Sequence, residues 1–418
     1  MSQNPKHSEG QSQSKARMLE GVRVLDFTQY VAGPTVTRMM AELGAEIIKV
    51  EQTPGGDPSR QIPVFKNRRS LYYIQHNRGK KSLCVDFSKA ETIDLLHELV
   101  KTVDIVVENY GPGVMKKRRL DYEALSKIHP KLIMLSISAF GRTGPLSDKV
   151  GFDLIAQAFS GLMHMTGEPD RPPQFVNMAI ADVNAGVHGF AALGYALFHR
   201  DRTGRGQYID IAMVDALYHM HEANVQMCAN AKSEYHPIRC GTHNKGLAPY
   251  GVFKGADGWI AILAGDLQWA GLPRAMGRED LIEDPRFADT RNRAKHADEL
   301  VVLVEAWMAT MPDDQAILDA LGAQRVPCAP VLSVADTIKH PHFIAREMVR
   351  NVPDAGIDQN ITIPGFPIKF SENADLPELW TSTRGADNSE VLKSALGYTD
   401  EQIEKLAATG VIRAASTS

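Results

Sequence analysis

The sequence predicts an α/β fold whose large domain holds a Rossmann-like, mostly parallel sheet. Two observations predict it. Strand and helix patterns alternate between residues 21 and 140, and such alternation places parallel strands beneath helices on both faces. The chain also has 418 residues, too many for one ordinary core, so two or three domains are expected.

Residues 22–27 read as the first strand, with Val22, Val24, Leu25 and Phe27 as its apolar residues. Gly33 and Pro34 interrupt the chain, and a helix is expected over 35–43, with Pro34 at its first turn and Gly44 just past its end. Residues 46–51 form the next strand. A strand at 82–87 leads into a helix at 89–103, where Ile93, Leu96, Leu99, Val100 and Val103 share one face. A strand at 104–110, a helix at 112–127 and a strand at 132–140 complete the series. A helix is expected over 183–198, then a strand at 208–213 and a helix at 214–231. Residues 232–255 are irregular. A smaller unit then runs to about residue 331, with a strand at 259–263 and helices near 267–276 and 298–311. From 333 onward come short helices, a Pro-rich extended piece at 361–370 and a terminal helix near 399–408.

Composition narrows the function. A hydrophobic content of 44% and a charged content of 23% belong to a globular protein. A net charge of −4 argues against nucleic acid or a membrane surface as the main partner. Cys84, Cys228, Cys240 and Cys328 lie far apart without metal-ligand spacing, so a reduced, cytoplasmic protein is expected. No apolar run approaches the roughly 18 residues of a membrane span. Residues 1–17 are polar and read as a disordered tail.

Several common chemistries are missing. The turn after the first strand lacks the G-x-G-x-x-G spacing of dinucleotide sites. The histidines are scattered, so no metal site is expected, and there is no G-x-S-x-G elbow. Two basic clusters, Asn77-Arg78-Gly79-Lys80-Lys81 and Lys116-Lys117-Arg118-Arg119, are either solvated faces or a grip on a phosphorylated ligand. The Asn109-Tyr110-Gly111-Pro112-Gly113 run is either a simple turn or a place where a ligand approaches backbone amides.

Asp182 is the only formally charged residue between Arg171 and Arg200. A carboxylate in so apolar a setting needs hydrogen bonds or a partner. It is either the N-cap of the 183–198 helix or a nucleophile at the floor of a cleft, and the two roles are compatible.

Taken together, Gly21-Val22-Arg23-Val24-Leu25-Asp26-Phe27, Ala32-Gly33-Pro34 and the run from Leu43 to Glu51 resemble the start of the class III CoA-transferase family. Val107-Glu108-Asn109-Tyr110-Gly111-Pro112-Gly113, Gly151-Phe152-Asp153, Ala181-Asp182 and Thr203-Gly204-Arg205-Gly206-Gln207 follow in that family's order. The resemblance extends from Leu19 to about Ala408.

The resemblance implies that Asp182 attacks an acyl-CoA donor, passing through an aspartyl anhydride and an aspartyl-CoA thioester before an acceptor acid completes the exchange. An aspartate has a reference pKa of about 3.9, so it is expected to be ionised at neutral pH without a helper base. CoA contacts are implied at Val31, Ala32, Val85, Phe87, Asn109 and Tyr110. An arginine that meets the nucleotide falls at Lys117, and another falls at Gln52, for which Lys116, Arg118 or Arg78 is the expected substitute. Tyr72 and Phe152 are implied on the substrate side. A tryptophan of the formyl-CoA enzyme is missing (Ile62 is nearest), as is its glycine loop, replaced near Cys240 to Gly246. Formyl-CoA is therefore not the expected donor.

The family also implies a large domain formed by both ends of the chain, 18–224 and 333–418, with a smaller α+β domain inserted at 225–332. An interlocked homodimer is implied, with an acyl-CoA and a small carboxylic acid as partners and no permanently bound cofactor. Two rival readings remain. Acyl-CoA racemases of the same superfamily carry a histidine where Phe152 stands, and phenylalanine holds no proton. A non-catalytic acyl-CoA-binding protein would need Asp182 only as a cap.

Overall fold

The computed structural model describes residues 17–230, 236–244, 246–354, 356–372 and 375–413. All of the polar tail except Arg17, the end of the expected 214–231 helix at Ala231, and residues 232–235 and Lys245 of the irregular stretch lie outside the described residues.

The chain divides into two compact units. One comprises Met1–Ala156, Ala179–Met220 and Ala345–Ser418; the other comprises Gln157–Met178 and His221–Ile344. The first is built on six strands: β1 (Arg23–Asp26), β2 (Glu46–Gln52), β3 (Lys80–Val85), β4 (Ile105–Glu108), β5 (Ile133–Ser138) and β6 (Gln207–Ala212). They form one sheet in the order β3-β2-β1-β4-β5-β6, and every neighbouring pair is parallel. Val24, for example, lies opposite Ile47 on one side and Ile105 on the other. Strands covered on both faces are mostly apolar, and Leu25, Ile48, Leu83 and Val106 are completely buried. The strand order turns back between β1 and β4. In open α/β sheets the crevice at that point, beyond the strands' C-terminal ends, is where ligands bind.

Several boundaries differ from the sequence expectation for physical reasons. The first helix is Ala32–Glu42, beginning three residues early, because Pro34 in the first turn lacks only an N–H that no helix bond needs. The single helix expected at 112–127 is two, Val114–Lys117 and Tyr122–Ile128. Arg119 between them has a φ of +56°, and the break turns Leu120 into the core. The helix expected at 214–231 also divides, into Met213–Tyr218 and Asn224–Asn230. Strand β3 starts two residues early, since Lys80 is buried by pairing with Asp26 at 3.0 Å.

Helix Ile180–Thr203 lies against Ala32–Glu42 through small residues. A Cβ on Gly186 would sit 2.8 Å from the Ala32 carbonyl oxygen, and one on Gly189 would sit 3.0 Å from Val36. Only glycine permits this approach. At the sheet's β3 edge, Asp387 and Asn388 accept the Ser82 and Cys84 N–H groups at 2.7 and 2.8 Å, which keeps that edge from pairing with another chain. The C-terminal segment also supplies a hairpin, Val349–Asp354 with Ile357–Pro364, which the sequence did not suggest.

The second unit has a three-stranded antiparallel sheet with Trp259–Leu263 between Tyr250–Lys254 and Cys328–Pro330. Phe253, Ile260, Phe287, Leu300 and Val304 form its core. Among the described residues no helix is long and apolar enough to cross a membrane.

Candidate active site

The site grows from the C-terminal end of β1. Asp26 is buried there and accepts from the Thr28 N–H and the Thr37 hydroxyl, each at 2.7 Å, while Lys80 lies at 3.0 Å. Burial works to raise this carboxyl, but Lys80 and Lys49 outweigh it and bring it down to about 2. Buried Lys49 donates to the Thr28 carbonyl at 2.7 Å and pairs with Asp57 at 2.9 Å. Asp57 also accepts the Tyr30 N–H at 3.3 Å. These bonds hold the turn after β1 in a conformation where Tyr30 has a φ of +62°.

The segment after β4 grips the same turn. Asn109 accepts the Gln29 N–H and donates to the Gln29 carbonyl, both at 2.8 Å. Arg142 then anchors the far side, donating to Glu108 and to the Tyr110 carbonyl at 2.8 Å each. Both rims of the crevice are thus fixed before any ligand arrives.

Between them opens a cleft of about 200 Å³, lined by Gln29, Tyr30, Val31 and Ala32, by Asn109 and Tyr110, and by Asp182. Asp182 sits in the first turn of Ile180–Thr203, whose N-cap is Ala179. It is therefore not the cap that local sequence allowed. The capping oxygen comes from elsewhere: one oxygen of Asp153 accepts the Ala181 N–H at 2.7 Å and the Asp182 N–H at 3.2 Å. Burial first, and the charge of Asp153 second, push the Asp182 carboxyl up to about 7. Full ionisation at neutral pH, expected from the free amino acid, is corrected accordingly: desolvation disfavours the charged form.

Tyr72 faces the same charges. Burial, followed by Asp182, Asp57 and Asp153, raises its phenol to about 12, so it remains a hydrogen-bond donor. Its ring rests on His76 at 4.8 Å between centroids. Phe152 lines the cleft and meets Tyr30 edge-on at 6.0 Å.

The basic residues separate into two kinds. Arg118 lies over Phe87, its guanidinium carbon 3.9 Å from the ring centre, and 5.5 Å from that of Tyr110. It also donates to Gln52 at 3.3 Å, so a cation returns to the place where the sequence has glutamine instead of the expected arginine. Lys116 and Lys117 are exposed. Arg78 is completely buried and bound to Glu42, with bonds of 2.5 and 2.9 Å. The expectation that Arg78 meets a phosphate is corrected, because its charge is already neutralised inside the core. Val85 is likewise a core side chain of β3.

Sequence reasoning missed Asp153, Asp57 and the Glu108–Arg142 pair. Asp153 acts across 29 residues, and no local pattern marks a cap supplied from another segment. A larger hollow of about 560 Å³ in the second unit is lined by Cys240, His243 and Cys328 and has no carboxylate on its walls. Among the described residues no group of His, Cys, Asp and Glu is arranged to hold a metal ion.

Comparison with known proteins agrees with this geometry. The family described as CoA-transferase family III matches residues 19–387. A succinyl-CoA:mesaconate CoA-transferase of Haloarcula hispanica is 40% identical over 86% of this chain and 91% of its own length. A succinyl-CoA:glutarate CoA-transferase of Mus musculus is 34% identical over 94% of this chain and 90% of its own. The crystal structure of a CAIB/BAIF family protein from Brucella suis superposes with a TM-score of 0.79 at 34% identity, covering 91% of this chain and all of that one. On these grounds the chain is an enzyme that belongs to CoA-transferase family III.

Proposed function

We propose that this enzyme moves CoA between an acyl-CoA and a free carboxylic acid, with Asp182 as the covalent nucleophile. The observation that carries this is the place of Asp182: a carboxylate in the switch-point cleft, its backbone held by Asp153.

An Asp182 oxygen attacks the donor thioester carbonyl, the C–S bond breaks, and CoA leaves as thiolate, giving a mixed anhydride. The thiolate attacks the aspartyl carbonyl of that anhydride and releases the first acid, leaving an aspartyl-CoA thioester. An acceptor carboxylate attacks this thioester, CoA leaves again, and thiolate attack on the new acyl carbonyl frees Asp182. Each intermediate is activated towards water, and the apolar walls of the cleft serve to exclude it.

In this reading the turn at Val31 and Ala32 and the segment at Asn109 and Tyr110 hold the pantetheine arm. Phe87 with Arg118, and Lys117 beyond them, meet the nucleotide. Tyr72 donates to the oxygen that develops charge. Phe152 closes the substrate side and supplies no proton for racemisation. The relatives' names support dicarboxylic acids, succinate among them, as the exchanged acids. The reading includes an interlocked homodimer, supported by apolar side chains such as Tyr195 and Phe198 that stand exposed on the long helix. It also includes a cytoplasmic setting, supported by four unpaired cysteines.

Asp182→Asn tests the reading. With succinyl-CoA and a panel of acids, exchange should fall by at least about a thousandfold. Retained exchange would remove Asp182 as nucleophile.

A further inference from the structure

The cleft that holds Asp182 contains one other charged side chain, Lys149, among the described residues that line it. No hydrogen bond or ion pair ties the Lys149 ammonium to a described residue. The cations beneath the crevice are already engaged: Lys49 with Asp57, Lys80 with Asp26, and Arg142 with Glu108. The chain segment carrying Lys149 is docked against the cleft. Gly151 packs so closely on the end of β5 that a Cβ there would lie 2.8 Å from Ala139. Val150 and Phe152, on either side of that glycine, line the same cleft.

We propose that Lys149 receives the second carboxylate of a dicarboxylic acyl group whose reacting carbonyl lies at Asp182. The assignment rests on the transfer reading above. A remote carboxylate entering this cleft is repelled by Asp182 and Asp153, and a cation must offset that repulsion. Val31, Ala32, Ile137 and Met213 line the same cleft, and these apolar walls match the methylene spacer of such an acid, which has charge at its ends and none between. A monocarboxylic acyl group would leave Lys149 without a partner. The cleft thus discriminates by charge at the far end of the acyl chain.

The test compares binding of succinyl-CoA and butyryl-CoA, which share chain length and differ in the second carboxylate. The measurement is made by calorimetry in an Asp182→Asn background, so that no acyl transfer intervenes. Without further change, succinyl-CoA should bind about tenfold more tightly than butyryl-CoA. Adding Lys149→Gln should erase that preference without weakening butyryl-CoA, and Lys149→Arg should keep most of it. Equal weakening of both thioesters by Lys149→Gln would place the ammonium on CoA itself and overturn the assignment. An unchanged preference would overturn it as well. The transfer reading fails separately: a wild-type enzyme that keeps the charge preference but exchanges no acid would sink that reading alone. Failure to bind either thioester would sink both.

Discussion

Asp153 holds the N–H groups of Ala181 and Asp182 at 2.7 and 3.2 Å, so one carboxylate positions another. The cap aims the first turn of the helix into the cleft, and burial first, with the charge of Asp153 second, keeps Asp182 partly protonated near neutrality.

Asp153→Asn should separate the two effects. Asparagine keeps the accepting oxygen and the cap but removes the charge. Initial rates measured across pH should show the acid limb moving to lower pH, because Asp182 then ionises more readily. Asp153→Ala should instead lower stability by about 1 kcal/mol in denaturant titrations.

The wild-type acid limb should centre near pH 7, with activity rising as Asp182 loses its proton. Stability should run the other way. The folded state binds this proton more tightly than the unfolded chain, so this group's contribution is complete below its ordinary value and is lost as pH rises through about 7. Asp182→Asn should therefore be more stable than wild type at pH 8, and melting curves at pH 5 and 8 would show it.

Lys49→Met should unfold more easily by about 3–5 kcal/mol, since it leaves Asp57 without its buried counter-charge and Asp26 with Lys80 alone. The turn at Thr28 to Tyr30 also loses a tether. Guanidinium titration gives the stability, and KM for the thioester should rise in the surviving enzyme.

Asn109→Ala removes both bonds to Gln29 and should cost about 1–2 kcal/mol. Because those bonds join the two rims of the cleft, KM for the thioester should rise more than kcat falls.

Much of this was legible in the chain. The alternation of strands and helices gave the parallel sheet, because strands covered on both faces are mostly apolar, and the charges they bury, Asp26, Lys49 and Lys80, are paired. The isolation of Asp182 pointed to its place, since an unpaired carboxylate in an apolar run needs a reason. The sequence hid what is settled by partners far along the chain. Arg78 looked like a surface cation until Glu42 was found beside it. Arg118 and Gln52, separated by 66 residues, read as an extra cation and a missing one and are one contact. The Asp182 proton affinity depends on burial and on Asp153, neither of which local sequence contains.

The most direct test is to trap the covalent enzyme. Wild-type protein given succinyl-CoA, quenched during turnover and treated with hydroxylamine, should yield one modified peptide, with a hydroxamate at Asp182. Succinate and a new thioester accumulating while the Asp182 peptide stays unmodified would contradict the account.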